Sequence, residues 1–151
     1  MRIDKLILVA WLVFLVSFII PWTAKPFGGW LLGWFWIMLD VVPAFTLVEK
    51  FSLAGLSGLL SFLAMLIMLA SPLYIYFLKN GFDGFYKHLP LIAFVFALLS
   101  SSYRIYYFSS KHPPVDGLYI LGNAVWVVSF GLLWKGFKQQ LDYIKSHFLK
   151  A

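Results

Sequence analysis

The 151-residue sequence contains no cysteine. That absence removes structural disulfides, thiolate catalysis, thiol-based redox chemistry, iron–sulfur ligation and cysteine-ligated zinc in one step. Charge is nearly as scarce: Asp, Glu, Lys and Arg make up 12% of the chain, against roughly 25% in an ordinary globular domain. The six acidic residues, Asp4, Asp40, Glu49, Asp83, Asp116 and Asp142, stand singly, so no spacing pairs carboxylates for metal binding or general acid–base work. No His-Glu-x-x-His pair, phosphate loop, dinucleotide glycine pattern or Gly-x-Ser-x-Gly elbow occurs. His88, His112 and His147 fall at or beyond the ends of the apolar runs, which disfavours paired axial ligands for a buried haem. These absences point away from an enzyme, and no cofactor or metal is expected.

What the chain does have is apolar length. Hydrophobic residues make up 62% of it, and Leu6–Ile20, Leu53–Phe77, Leu89–Ser109 and Leu118–Trp134 carry one formal charge among them, Arg104. Runs near or above 18 apolar residues with few charges read as spans of a bilayer about 30 Å thick. The stretches between them are too short for an independent soluble core. The sequence therefore predicts an all-α integral membrane protein. Its transmembrane domain covers residues 1–134 as a four-helix bundle, with spans near 5–22, 52–78, 89–109 and 117–134. Residues 135–151 should form a cytoplasmic amphipathic helix.

The first run resembles a signal peptide, with Arg2 and Lys5 ahead of Leu6–Ile20, but a small-x-small cleavage pattern is missing because Trp22 would stand at the −3 position. A retained first span is expected. It is short, since 15 residues reach only about 23 Å as a helix. Phe27–Leu47 has spanning length but contains Asp40, Pro43 and the tryptophans Trp30, Trp34 and Trp36. Tryptophans favour the headgroup level, and Asp at a helix centre costs roughly 2.5 to 3.5 kcal/mol. An embedded or re-entrant segment is preferred there, with a fifth span as the alternative. In the next run Pro72 should bend the helix. Ala54/Gly58 and Ser57/Ser61, each four apart, form small-residue ladders suited to close helix packing.

The net charge of +6 does not imply nucleic acid, because basic residues occur singly, mostly at the ends of apolar runs. Membrane orientation explains them better. With both termini cytoplasmic, four spans place Arg2, Lys5, Lys79, Lys87, Lys135, Lys138, Lys145 and Lys150 inside against Lys25, Lys50 and Lys111 outside, a split of 8 to 3. Five spans with the N-terminus outside give 7 to 4. Both obey the positive-inside rule and both place the C-terminus in the cytoplasm. A bacterial-type cell inner membrane is the expected location.

Asp40 and Arg104 are the charges nearest membrane depth. They are candidates for an intramembrane polar pair, although Arg104, about five residues from the end of its run, is expected chiefly to anchor at the interface among Tyr103, Tyr106 and Tyr107. In the tail, Trp134, Phe137, Leu141, Ile144 and Phe148 recur at steps of three and four, with Lys138 and Lys145 on other faces. That pattern suits a helix on the membrane surface, turning out of the last span at Gly136. The expected partners are the lipid bilayer and another integral membrane protein or a second copy of the chain. The function expected is a non-enzymatic accessory, assembly or immunity-type interaction protein acting by lateral helix contacts. The alternative is an oligomeric transporter of small solutes or ions, with Asp40, Arg104, Ser100 or Tyr103 lining a cavity. No family resemblance emerges.

Overall fold

The computed structural model describes residues 5–20, 52–79, 85–111 and 117–148, and within them the chain is all-helical. Phe27–Leu47, with Asp40, lies outside the described residues. Helix α1 is Lys5–Ile19. Nothing in it interrupts a helix until Pro21, which disfavours helical backbone at the residue before it. Helix α2, Leu53–Leu69, starts on Ser52, whose extended backbone and side-chain oxygen cap the helix by accepting the Gly55 N–H at 3.0 Å.

The bend that Pro72 predicts is present. A short helix α3, Ser71–Lys79, follows α2 at an angle of 52°. Pro72 has no N–H to offer the Met68 carbonyl four residues back, and its ring crowds that carbonyl. Instead the Ala70 N–H bonds to Leu66 at 2.9 Å and the Ala70 carbonyl accepts from Leu73 at 2.9 Å. One turn of 3-10 helix, Phe85–His88, leads into α4, Leu89–Lys111, where Pro90 sits in the first turn and removes no helical bond. Helix α5 then runs without interruption from Gly117 to Phe148.

That last helix departs from expectation. The sequence suggests a turn at Gly136, whereas one 32-residue helix passes through it. The absent side chain serves a close approach instead: a Cβ on Gly136 would stand 2.9 Å from the Ile7 backbone nitrogen and 3.0 Å from the Leu6 Cβ. Beyond Gly136, Phe137 is buried against Tyr74, with ring centroids 6.5 Å apart. The first turns after Trp134 thus pack on α1 and α3 and do not peel away.

Helix α1 packs along α5, α5 along α4, and α4 along α2. The core combines Ile7, Ala10 and Phe14 of α1, Ala64 and Met68 of α2, Ala93 and Ala97 of α4, and Trp126, Phe130 and Leu133 of α5. Helix α3 is tied back by Trp11, whose indole N–H donates to the Ser71 hydroxyl at 3.0 Å. Ser71→Ala should remove that acceptor and lower unfolding stability by about 1 kcal/mol, read as a lower melting temperature in detergent. An unchanged melting temperature would show that the bond contributes nothing.

Beside this apolar core, many large aliphatic side chains stand exposed while several polar ones are buried. Leu12 and Ile19 are 62% and 70% exposed, and Leu15, Val16, Leu69, Leu99 and Val128 are also exposed, while Ser17, Ser100, Asn123 and Ser129 are completely buried. Exposed apolar surface of this extent marks a face that meets lipid or another protein. Phe85–Tyr107 and Gly117–Ser146 are long and apolar enough to cross a membrane, and the bent α2–α3 pair makes a third if taken as one span. Helix α1, at 15 residues, falls short of that length. The described residues thus contain two helices that could span by length and composition, or three with the bent pair taken as one.

Candidate functional site

A group of buried polar side chains lies between α2 and α4, with Trp126 of α5 beside it. On α2, Ser57 and Ser61 are one turn apart; on α4, Ser100 and Arg104 are also one turn apart, so two ladders of equal period face each other. The Ser57 hydroxyl donates to the Ser100 carbonyl at 3.2 Å, and the Ser100 hydroxyl donates to Ala97 of its own helix at 3.1 Å. Arg104 Nη2 donates to the Ser61 hydroxyl at 3.0 Å and is 3.3 Å from the Ser100 hydroxyl. From α5, the Trp126 ring lies under the guanidinium, 4.9 Å from its central carbon to the ring centroid. One side chain thereby ties three helices together.

Arg104 is 6% exposed, so the expected interfacial anchoring among the tyrosines does not occur. Its guanidinium rests on Trp126, about 13 Å along α5 from Gly117. Near a helix end the aliphatic stem is long enough to turn outward or inward, and here the inward direction offers two hydroxyl acceptors and an aromatic face. A guanidinium stacks on such a face more readily than an ammonium, being planar and weakly hydrated. Tyr106 and Tyr107 remain exposed as expected.

The small-residue ladder is used in part. Ser57, Gly58 and Ser61 are buried, while Ala54 is exposed. The close-packed face therefore runs Ser57, Ser61, Ala64, Met68 and meets α4 of the same chain. Two further buried hydroxyls are satisfied within their own helices: Ser17 donates to Phe14 and Ser129 to Trp126, both at 2.6 Å, as serines do in helices with no water beside them. Asn123 Nδ2 donates to the Tyr119 carbonyl at 2.9 Å. Its Oδ1 and the Trp126 indole nitrogen are buried with no hydrogen-bond partner among the described residues.

The aromatic chain carries the cluster to α1. Trp126 meets Phe130 edge-on at 4.9 Å, Phe130 meets Phe14 at 5.9 Å, and Phe14 meets Phe18 at 4.7 Å. Arg104 and Ser61 each stand out in the sequence, but nothing there shows that they join, and Trp126 and Asn123 carry no sequence signal of their own. The four-residue spacing of Ser100 and Arg104, matching that of Ser57 and Ser61, was the available signal.

In the tail, Trp134, Lys138 and Lys145 are exposed, Leu141 and Ile144 are half-buried, and Phe137 is buried. The Phe148 side chain lies outside the described set. The face expected to meet lipid is thus divided between the bundle and the exterior. Among the described residues no three His, Cys, Asp or Glu side chains are grouped to hold a metal ion. Comparison with protein-family models, curated proteins and solved structures finds no match to the chain.

Proposed function

We propose that the protein is a multi-pass integral membrane protein that acts without catalysis, through lateral contact of its helices with a second membrane helix. The observation that carries this reading is the two-faced character of α1. Ile7, Ala10, Phe14 and Ser17 face the bundle, while Leu8, Leu12, Leu15 and Ile19 form an exposed stripe at steps of four, three and four. Such a spacing is a helix-packing seam. A helix of 15 residues is also shorter than the hydrocarbon core, and association is one way a short helix relieves that mismatch. The small residues of α2 are occupied by α4 of the same chain, so the outward seam of α1 is the better candidate for the contact.

Two arrangements support four spans with both termini on the cytoplasmic side of an inner membrane. Leu6 and Ile7 lie beside Gly136, and the Tyr74 ring beside Phe137, so α1 starts and α3 ends at one end of the bundle. Chain exit at Ile20 and re-entry at Ser52 then share the opposite end, which favours an even number of crossings over five. Lys5 and Lys135 adjoin those contacts in sequence, Lys138 and Lys145 follow them on α5, and Lys87 follows Tyr86, whose ring stacks on Phe77 of α3, in keeping with the positive-inside rule.

A photoactivatable residue at Leu12 should capture a protein adduct of one defined mass, the partner or a second copy, whereas the same residue at Val128 should capture lipid. Lipid adducts alone at Leu12 would refute lateral contact. Solute flux in proteoliposomes that is lost in Arg104→Met would replace it with the transport reading.

A further inference from the structure

The basic end of the bundle holds an open groove of about 470 Å³ between α4 and α5. One wall is aromatic: Phe94 stacks on Trp134 with centroids 5.9 Å apart and ring planes 15° from parallel. Gly131 forms the adjoining floor, and a Cβ there would stand 3.3 Å from the Phe94 ring. Along α5 the lining then becomes polar, through Lys135, Lys138 and Gln139 to Asp142, all of them exposed. These positions recur at helical spacing, so the groove follows one face of α5 for about 16 Å. It passes from apolar to cationic in that direction, and Asp142 bounds the cationic part.

An amphiphile with a hydrocarbon end and an anionic end has the same gradient. We infer that this groove binds a phospholipid with an anionic headgroup, its phosphate between Lys135 and Lys138 and the upper part of an acyl chain against Phe94, Gly131 and Trp134. The inference rests on the membrane reading above, which puts Trp134 at the level where tryptophans meet headgroups. Charge complementarity selects the headgroup: two ammonium groups flank the phosphate position, and Asp142 disfavours an anion placed further along the helix. The aromatic wall selects a lipid over a free anion, because inorganic phosphate makes no use of it.

The test is reconstitution in phosphatidylcholine vesicles containing a minor fraction of phosphatidylglycerol, mild detergent release, and native mass spectrometry of the lipids that stay bound. The wild-type protein should retain phosphatidylglycerol preferentially, and excess inorganic phosphate should leave that preference intact. K135Q/K138Q should reduce the preference about tenfold or more, since each lysine near an anionic surface contributes about fivefold. K145Q removes the same kind of charge outside the groove and should retain it. No preference in the wild type, an equal loss in K145Q, or displacement by inorganic phosphate would each overturn the assignment. Resistance to alkaline extraction from pure phosphatidylcholine vesicles reports separately on insertion. A resistant protein without lipid preference refutes the lipid site alone, and an extracted one refutes the membrane reading along with it.

Discussion

Gly136→Ala should lower the melting temperature of the detergent-solubilised protein more than an alanine at either of two other glycines of the same helix. The added methyl would stand 2.9 Å from the Ile7 backbone nitrogen and Cγ1 and 3.0 Å from the Leu6 Cβ. Only the Ile7 Cγ1 can move with a rotamer; the nitrogen belongs to the main chain of α1 and the Leu6 Cβ is fixed by it, so no rotamer change clears them. The helix itself must move away from α5, and with it the packing of Ile7, Ala10 and Phe14. Overpacking of this kind costs about 1 to 3 kcal/mol, enough to outweigh the gain of about 0.5 to 1 kcal/mol that alanine brings over glycine within a helix. The controls are built into α5. A Cβ at Gly117 meets nothing within 4 Å, and one at Gly131 meets only the Phe94 ring at 3.3 Å, which can shift. The expected order of melting temperatures is Gly117→Ala highest, Gly131→Ala next and Gly136→Ala lowest. A Gly136→Ala protein as stable as wild type would show that α1 does not lie against α5 at this point.

The same glycine shows where sequence reasoning reaches its limit. Apolar runs locate the helices well because a helix buried in protein or lipid must be apolar for most of its length: α4 and the α2–α3 pair match the runs expected at 89–109 and 52–78 to within two residues. Pro72 announces its bend because the missing N–H and the ring act on the same chain segment. Gly136 does not announce its role. A glycine that ends a helix and one that admits a neighbouring helix are identical in sequence, and only the position of Ile7, far away in the chain, tells them apart. Hydropathy changes at Lys135, but helical hydrogen bonding does not depend on hydropathy, so α5 continues. Arg104 poses the same difficulty for a side chain. Its distance from the end of the run shows that it can reach the interface, not that Ser61 and Trp126 offer a better environment inside. Asp40 lies outside the described residues.

Arg104 is the other position where a large effect is expected, and its sign depends on opposing contributions. The guanidinium donates to Ser61, lies 3.3 Å from the Ser100 hydroxyl and covers the Trp126 face at 4.9 Å. Hydrogen bonds to a charged group contribute about 1.5 to 3 kcal/mol, and a desolvated cation–π contact about 2. Against them stands the desolvation of the charge, several kcal/mol. These roughly offset, which makes volume and shape decisive. Arg104→Ala removes the bonds and leaves a void between α2, α4 and α5, and should cost about 2 to 5 kcal/mol, as other large-to-small core changes do. Arg104→Met keeps most of the volume and releases the desolvation penalty, so it should cost less than alanine. Arg104→Lys keeps the charge but loses the flat face that rests on Trp126 and the forked donors, and should fall below Met. Unfolding free energies in mixed micelles would read the series, and a lysine variant as stable as wild type would mean that charge alone, without planar geometry, holds the three helices together. A cycle combining Arg104→Met with Trp126→Leu should then show a coupling of about 0.5 to 2 kcal/mol. Additive losses would mean that guanidinium and indole merely occupy adjacent space.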